Sequence, residues 1–355
     1  MSKILVKLGS SSITDGRGID LDKLQNILSD IVSLKEEKHE VIIVSSGAIA
    51  TGKHFVKAYD KSLIHSQQAA SAIGQPLLMN EYIKYFSAKN LACAQILLTH
   101  EDFKRRISYF NCQKTLTHLL HNNVIPVINE NDSVSFAEIT LGDNDQLAGY
   151  LALMLNVDHC LFLTEADGLL DGNKKTITEI SSAENFSFIR YHKKTSTGTG
   201  GIQNKLEAIR KITDAGIDVY LGSFKGRQPL KRLLSKTGGS HFLAVSEKQI
   251  NRKQKIRSSA KVGAFITVDE GAAKALTKNA SLLPSGIAQV VGTFHRGDSV
   301  AIRYQRTVIA YGEVEYSSKE VIKLKGKKST DIQDLLGYHL TDVIIHKDNL
   351  VMVKK

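Results

Sequence analysis

Lys3-Ile4-Leu5-Val6-Lys7-Leu8-Gly9-Ser10-Ser11-Ser12 opens the chain with a short apolar run that ends beside a lysine and breaks into small residues. The run predicts a strand covered on both faces, because aliphatic side chains occupy nearly every position rather than alternate ones. Comparable runs recur at 41–45, 92–98, 124–128, 159–163 and 217–221. Between them the apolar residues return at helical spacing. Leu21, Leu24, Leu28, Ile31 and Val32 form the first such stripe. Further helical stretches are expected over 62–89, with a break near Gly74-Gln75-Pro76, and over 109–121, 144–155 and 204–215. Strand–helix alternation of this kind predicts an α/β fold, an αβα sandwich whose central sheet is mostly parallel. Ligands in such sheets collect beyond the carboxyl ends of the strands, so the loops after the strands are where chemistry is expected.

At 355 residues the chain is long enough for two domains. The apolar fraction of 42% is sufficient for a core without disulfide or metal staples. Cys93, Cys112 and Cys160 are scattered and form no CxxC pair, which indicates neither a zinc site nor a disulfide framework and fits a reducing cytoplasm. No apolar run approaches the ~20 residues that a membrane span needs, and Lys7 cuts the first run too short for a signal peptide. Asn251-Arg252-Lys253-Gln254-Lys255-Ile256-Arg257 is polar and basic and reads as a linker. The division expected is therefore 1–250, a linker at 251–257, and 258–355. In the last part, short β runs at 264–268, 288–293, 299–304, 308–314 and 321–325 suggest a small β-barrel-like domain. The formal charge of +11 is concentrated there: residues 251–355 hold 18 Lys and Arg against 10 Asp and Glu. Such a surplus admits an RNA-binding reading or simply a solvated basic face; no aromatic stacking run accompanies it.

Four loops carry the candidate chemistry. Gly9 and Ser10 follow the first strand and leave backbone N–H groups free to line a phosphate, with the Lys7 cation aimed at the same place; the same residues could be a plain strand end. Ser46-Gly47-Ala48 follows the second run, where small residues let a ligand approach the backbone or a helix pack closely on the sheet. Asn129-Glu130-Asn131-Asp132 and Gly142-Asp143-Asn144-Asp145 gather polar groups that are costly to bury without partners. They could meet an ammonium group and orient lysines, and Asp143 or Asn144 could equally cap a helix. Thr197-Gly198-Thr199-Gly200-Gly201 leads to Lys205 and is suited to wrapping phosphates or to being a surface loop. The histidines are dispersed and no Ser-His-Asp order is visible, which argues against triad hydrolysis.

In order and spacing, Val6-Lys7-Leu8-Gly9-Ser10, Ser46-Gly47-Ala48-Ile49-Ala50, Val127-Ile128-Asn129-Glu130-Asn131-Asp132, Gly142-Asp143-Asn144-Asp145 and Gly198 to Lys205 together resemble the amino acid kinase family over nearly the whole chain. The resemblance is to members that use ATP and Mg²⁺ to phosphorylate the side-chain carboxylate of free L-glutamate, opening proline biosynthesis. Ile266-Thr267-Val268-Asp269-Glu270-Gly271-Ala272 and Ser281-Leu282-Leu283-Pro284-Ser285-Gly286-Ile287 resemble a PUA domain. By that resemblance Lys7 and Lys205 would stabilise the transferring phosphoryl group and Asp145 would orient them. Ser46, Gly47, Ala48, Asp132, Asp143 and Asn144 would bind the amino acid. Gly9, Ser10, Thr164, Glu165, Thr199, Gly200 and Gly201 would join the two lysines around the nucleotide. No protein metal ligands are implied. Proline as a feedback inhibitor and a homodimer or homotetramer are further implications.

The pattern departs from the family in places. Glu165 stands where Asp is common, the segment after Leu169-Leu170 is short, and Asn111-Cys112-Gln113-Lys114 lacks an arginine often present. These differences bear on nucleotide affinity and subunit contacts rather than on the reaction. N-acetylglutamate and aspartate kinases are the neighbouring alternatives within the family.

Overall fold

A computed structural model describes residues 1–16, 18–135, 144–171, 173, 175–181, 202–245, 256–257 and 259–353. The chain divides into two compact units, one made of Met1–Lys104 and Asn111–Glu247, the other of Arg105–Phe110 and Lys248–Lys355.

The first unit is built on an eight-stranded sheet of β1 (Lys3–Leu8), β2 (Glu40–Ser45), β3 (Cys93–Leu98), β4 (Ile125–Glu130), β5 (His159–Thr164), β6 (Glu179–Ser181), β7 (Asp218–Ser223) and β8 (Ser240–Leu243), in the order β3-β4-β2-β1-β5-β7-β8-β6. Every neighbouring pair is parallel except β7 with β8. The helices are α1 (Ser10–Ile13), α2 (Leu21–Glu36), α3 (Ala48–Gly52), α4 (Ile64–Ser87), α5 (His100–Lys104), α6 (Arg106–His121), α7 (Asn144–Leu155), α8 (Ile202–Asp214) and α9 (Pro229–Leu234). Ile4, Leu5, Val6 and Leu8 are all fully buried, as a strand with helices on both sides requires. Leu24, Ile27, Leu28 and Ile31 of α2 close over one face together with Tyr82 and Phe86 of α4.

The expected break at Gly74-Gln75-Pro76 does not occur, and α4 runs through it. Pro76 cannot donate to the turn before it, which ordinarily kinks a helix. Here the buried stripe Ala70, Ser71, Gly74, Gln75, Leu78, Met79, Tyr82 and Phe86 continues on both sides of the proline, and burial holds what local propensity would interrupt. Gly74 serves packing instead: a Cβ there would lie 1.9 Å from the Ala48 carbonyl oxygen of α3, and one on Gly52 would lie 1.9 Å from that of Ala70.

The second unit contains a five-stranded mixed sheet of β9 (Ala260–Val268), β10 (Ile287–Val291), β11 (Ser299–Tyr304), β12 (Thr307–Glu313) and β13 (Leu350–Met352), ordered β10-β9-β11-β12-β13. Ile266, Phe294, Val300, Ile302, Tyr316 and Ile344 are among its core residues. The β run expected at 321–325 is instead the end of helix Ser318–Leu324. A capping box decides it: the Ser317 backbone N–H donates to Glu320 Oε2 at 2.6 Å and its hydroxyl to the same oxygen at 2.7 Å.

Candidate active site

The register aligns strand ends. Leu8 pairs with Ser45 on one side and Leu163 on the other, Val44 pairs with Ile128, and Leu163 with Gly222. The loops after β4, β2, β1, β5 and β7 therefore leave from one edge of the sheet.

Lys7, next to last in β1, is only 7% exposed. Its Nζ lies 2.6 Å from Asp145 Oδ1. Asp145 is in the first turn of α7 and is 5% exposed. Its other oxygen, Oδ2, accepts a hydrogen bond of 2.8 Å from Lys205 Nζ in the first turn of α8. One carboxylate thus holds two ammonium groups that arrive from elements far apart in sequence. Burial alone would raise the Asp145 pKa; Lys7 and Lys205 outweigh it and hold the carboxyl well below its ordinary 3.8. Two cations against one anion leave a surplus positive charge in a dry place, which suits a phosphate.

Neighbours fix these lysines. The Lys205 Nζ stands 5.5 Å from the centre of the Phe162 ring. Gln146 ties α7 to α8, donating from Nε2 to the Asn204 carbonyl at 3.3 Å and accepting from Lys211 Nζ at 2.8 Å. The Gly9 backbone passes close above Lys7: a Cβ there would be 3.8 Å from the Lys7 Nζ and equally far from the Leu163 carbonyl oxygen. Ser10 is exposed at the start of α1.

A second polar cluster adjoins through Asn144, the residue before Asp145. Asn144 Nδ2 donates to Ser46 Oγ at 2.8 Å, Asn129 Oδ1 at 3.0 Å and, more weakly, the Ser45 carbonyl at 3.3 Å. Asn144 Oδ1 is buried and meets no donor among the described residues. An unsatisfied buried acceptor is costly, so the position calls for a donor from a ligand. Gly47 beside it has φ +105°, and a Cβ there would lie 3.0 Å from Ile13 Cδ1; both facts require glycine and leave the Ser46-Gly47-Ala48 backbone uncovered by side chain at that residue. Asp132 follows β4 and accepts from Ser71 Oγ of α4 at 2.7 Å.

The structure thus brings Lys7, Asp145 and Lys205 into direct contact, and Ser46 with Asn144. Thr164 ends β5 and its carbonyl accepts from the Phe224 N–H at 3.1 Å. Glu165 is exposed beyond it, its carbonyl accepting from Ser223 Oγ at 3.4 Å. Asp143, Thr199, Gly200 and Gly201 lie outside the described residues. Residues that sequence reading passed over are Gln75, Tyr82, Phe162 and Gln146. Tyr82 is fully buried and shares a 2.8 Å hydrogen bond with Ser45 Oγ. All four sit inside helices or strands whose apolar neighbours dominate the pattern; Gln75 is named only as part of the break expected at Gly74-Gln75-Pro76.

The amino acid kinase family profile matches residues 2–223, and that of the PUA domain matches 264–336. A glutamate 5-kinase of Caldanaerobacter subterraneus subsp. tengcongensis is 40% identical over 99% of this chain and 98% of its own. Glutamate 5-kinase 1 of Bacillus subtilis is 36% identical over 99% of both. Among solved structures, carbamate kinase from Giardia lamblia bound to AMP-PNP aligns with a TM-score of 0.51 at 16% identity, covering 68% of this chain and 98% of that one, a likeness of fold.

Proposed function

We propose, for a chain that belongs to the amino acid kinase family and within it to the glutamate 5-kinases, that it transfers the γ-phosphoryl group of ATP to the side-chain carboxylate of free L-glutamate, giving L-glutamyl 5-phosphate, the first step of proline biosynthesis. The observation that carries the site assignment is the Asp145 carboxylate holding Lys7 and Lys205 together at the carboxyl edge of the sheet.

The chemistry asks little of the protein by way of proton transfer. A carboxylate is already a nucleophile at neutral pH. One of its oxygens forms the new P–O bond while the bond from the γ-phosphorus to the bridging oxygen of ADP breaks, and ADP leaves with that electron pair. The obstacle is repulsion between the incoming anion and the polyphosphate. Positioning and charge cancellation therefore supply the catalysis. Lys7 and Lys205 meet the charge on the transferring group, and Asp145 keeps both ammonium heads where that charge develops. Among the described residues no group of three or more His, Cys, Asp or Glu could hold a metal, and both Asp145 oxygens already face ammonium groups. Mg²⁺ is assigned to the phosphates, as part of the nucleotide substrate, because it keeps few protein ligands and binds phosphate oxygens. Gly9, Ser10, Thr164 and Glu165, with Thr199, Gly200 and Gly201, are assigned to the nucleotide.

Glutamate carries one ammonium and two carboxylates. Asn144 Oδ1, which meets no donor among the described residues, supports placing the ammonium beside it, with Asp132 and Asp143 supplying negative charge. The backbone and hydroxyl at Ser46-Gly47-Ala48 then face a carboxylate. Asp132→Ala is expected to raise the KM for glutamate at least ~10-fold, the loss of one charge-assisted contact, and to leave that for ATP within about twofold. Steady-state kinetics with each substrate varied checks this, and equal rises in both constants would displace Asp132 from the amino-acid subsite.

An ATP-dependent hydroxylamine trap for acyl phosphates, run with glutamate, N-acetylglutamate and aspartate, tests the substrate. Hydroxamate should form with glutamate and stay at least ~10-fold lower with the others, because an acetylated nitrogen loses its charge and aspartate is one methylene short. Preference for N-acetylglutamate or aspartate would overturn the assignment.

Cytoplasmic residence accords with the three free cysteines, all of whose thiols are pushed up by burial, Cys93 to about 11, Cys112 to about 12 and the fully buried Cys160 well above its ordinary value. No helix among the described residues is long and apolar enough to cross a membrane. Family membership supports a homodimer or homotetramer and feedback by proline, with the kinase domain at 1–250, a linker at 251–257 and the PUA domain following.

A further inference from the structure

A file of buried amides runs from the middle of α4 to the amino-acid subsite. Gln75, 8% exposed, accepts at Oε1 from Asn129 Nδ2 at 2.8 Å, and its Nε2 faces Gln95 Oε1 of β3 at 3.4 Å. Asn129, 2% exposed, uses its Oδ1 twice, accepting from the Glu130 backbone N–H at 2.9 Å and from Asn144 Nδ2 at 3.0 Å. Asn144 Nδ2 also faces Ser46 Oγ and the Ser45 carbonyl, and its Oδ1 is buried with no donor among the described residues.

The direction of this file follows from groups that cannot reverse roles. A backbone N–H only donates, so the Asn129 atom facing Glu130 N is its oxygen. A backbone carbonyl only accepts, so the Asn144 atom facing the Ser45 carbonyl is its nitrogen. With Oδ1 of Asn129 committed, its Nδ2 must point toward α4 and needs an acceptor there. Gln75 supplies it. Without that acceptor, the buried Asn129 amide gains by turning or withdrawing to satisfy its Nδ2. Either movement takes its Oδ1 from Asn144, whose Nδ2 is then left with Ser46 Oγ and the Ser45 carbonyl, and the amide loses one of the three contacts that fix where its own oxygen points.

We propose that Gln75 is a positioning residue for substrate specificity: acting through Asn129, it holds the Asn144 amide so that Oδ1 is presented to the α-ammonium of the amino acid. The inference rests on the kinase reading above and deepens it. Gln75 touches neither substrate nor nucleotide in this role. Its position explains a polar residue buried in a helix stripe otherwise built mostly of small and apolar side chains.

The test compares glutamate with glutarate, which has both carboxylates and no ammonium. The ratio of their kcat/KM values in the full-length protein reports recognition of the ammonium alone. Gln75→Met keeps length and helix preference and removes the acceptor. It should lower the glutamate-to-glutarate ratio at least ~5-fold, the scale of one buried hydrogen bond lost, with the KM for ATP within about twofold of wild type. Gln75→Glu retains an acceptor toward Asn129 and should restore the ratio to within about threefold. An unchanged ratio in Gln75→Met overturns the proposal, as does a Gln75→Glu ratio no better than that of Gln75→Met. A purely structural role would depress turnover of both substrates together and leave the ratio intact. If Gln75→Met does not fold, Gln75→Ala is read against the same criteria. Wild-type protein that makes no hydroxamate from glutamate would instead sink the kinase reading, a result separate from any variant.

Discussion

Lys205→Ala should lower kcat by at least ~100-fold, with the KM for glutamate little changed. Removing a single donor aimed at developing charge costs about 10²–10³ in turnover in other enzymes, and Lys205 has the features that make such a group effective. Its ammonium is fixed by Asp145 at 2.8 Å and lies against the Phe162 ring, in a place mostly closed to water. Little reorganisation is therefore needed when the phosphoryl group passes. Lys7 stays with Asp145 in the variant, so the fold and the amino-acid subsite persist, and the loss falls on the chemical step. Lys205→Arg should recover only a small part of the rate, because a planar guanidinium cannot take the place of a compact ammonium between Asp145 and a phosphate. Hydroxamate formation under saturating substrates measures this. A Lys205→Ala enzyme with turnover within threefold of wild type would remove Lys205 from the reaction.

The part of this site legible in sequence was the part built at strand ends. Lys7 belongs to a strand whose end is marked by Gly9, and Asp145 begins a helix whose apolar residues are continuous. Reading Lys3–Leu8 and Asn144–Leu155 as elements was enough to send both residues to the same edge of a parallel sheet. What remained hidden depended on contacts between elements. Strands β6 and β8, three and four residues long, are too short for periodicity to register, and β8 owes its place to antiparallel pairing with β7. The uninterrupted α4 contradicts its own local sequence because burial against the sheet outweighs the proline. Gln75 looked like part of a break for that reason, and its contact with Asn129 became visible only once α4 was seen to continue. The helix at Ser318–Leu324 was a different kind of miss. Ser317 and Glu320 spell a capping box, and Val321 and Leu324 are one helical turn apart, yet the β runs before them suggested another strand.

Asp145→Asn separates the two things this carboxylate does. As an anion it neutralises one of two neighbouring ammonium groups, and as a geometric clamp it holds both in place. Asparagine keeps the size, loses the charge and turns an NH₂ group toward one of the lysines. Breaking a buried ion pair by removing one partner typically costs about 3–5 kcal/mol. For a unit of this size that corresponds to a fall in thermal midpoint of roughly 10 °C. Turnover should fall by about 10²–10³, since both lysines lose their fixed positions at once. The pH dependence identifies the charge. Asp145 in the folded protein ionises well below its ordinary 3.8, so its contribution to stability is complete above that ordinary value and disappears only as the pH falls through the depressed folded one. The difference in midpoint between wild type and Asp145→Asn should therefore be constant from about pH 6 to pH 8 and shrink only in strong acid, below about pH 4. Scanning calorimetry of both proteins across that range measures it. A difference that closes between pH 6 and 8 would mean that Asp145 is not held ionised by the lysines, and the charge arrangement on which the transfer depends would have to be redrawn.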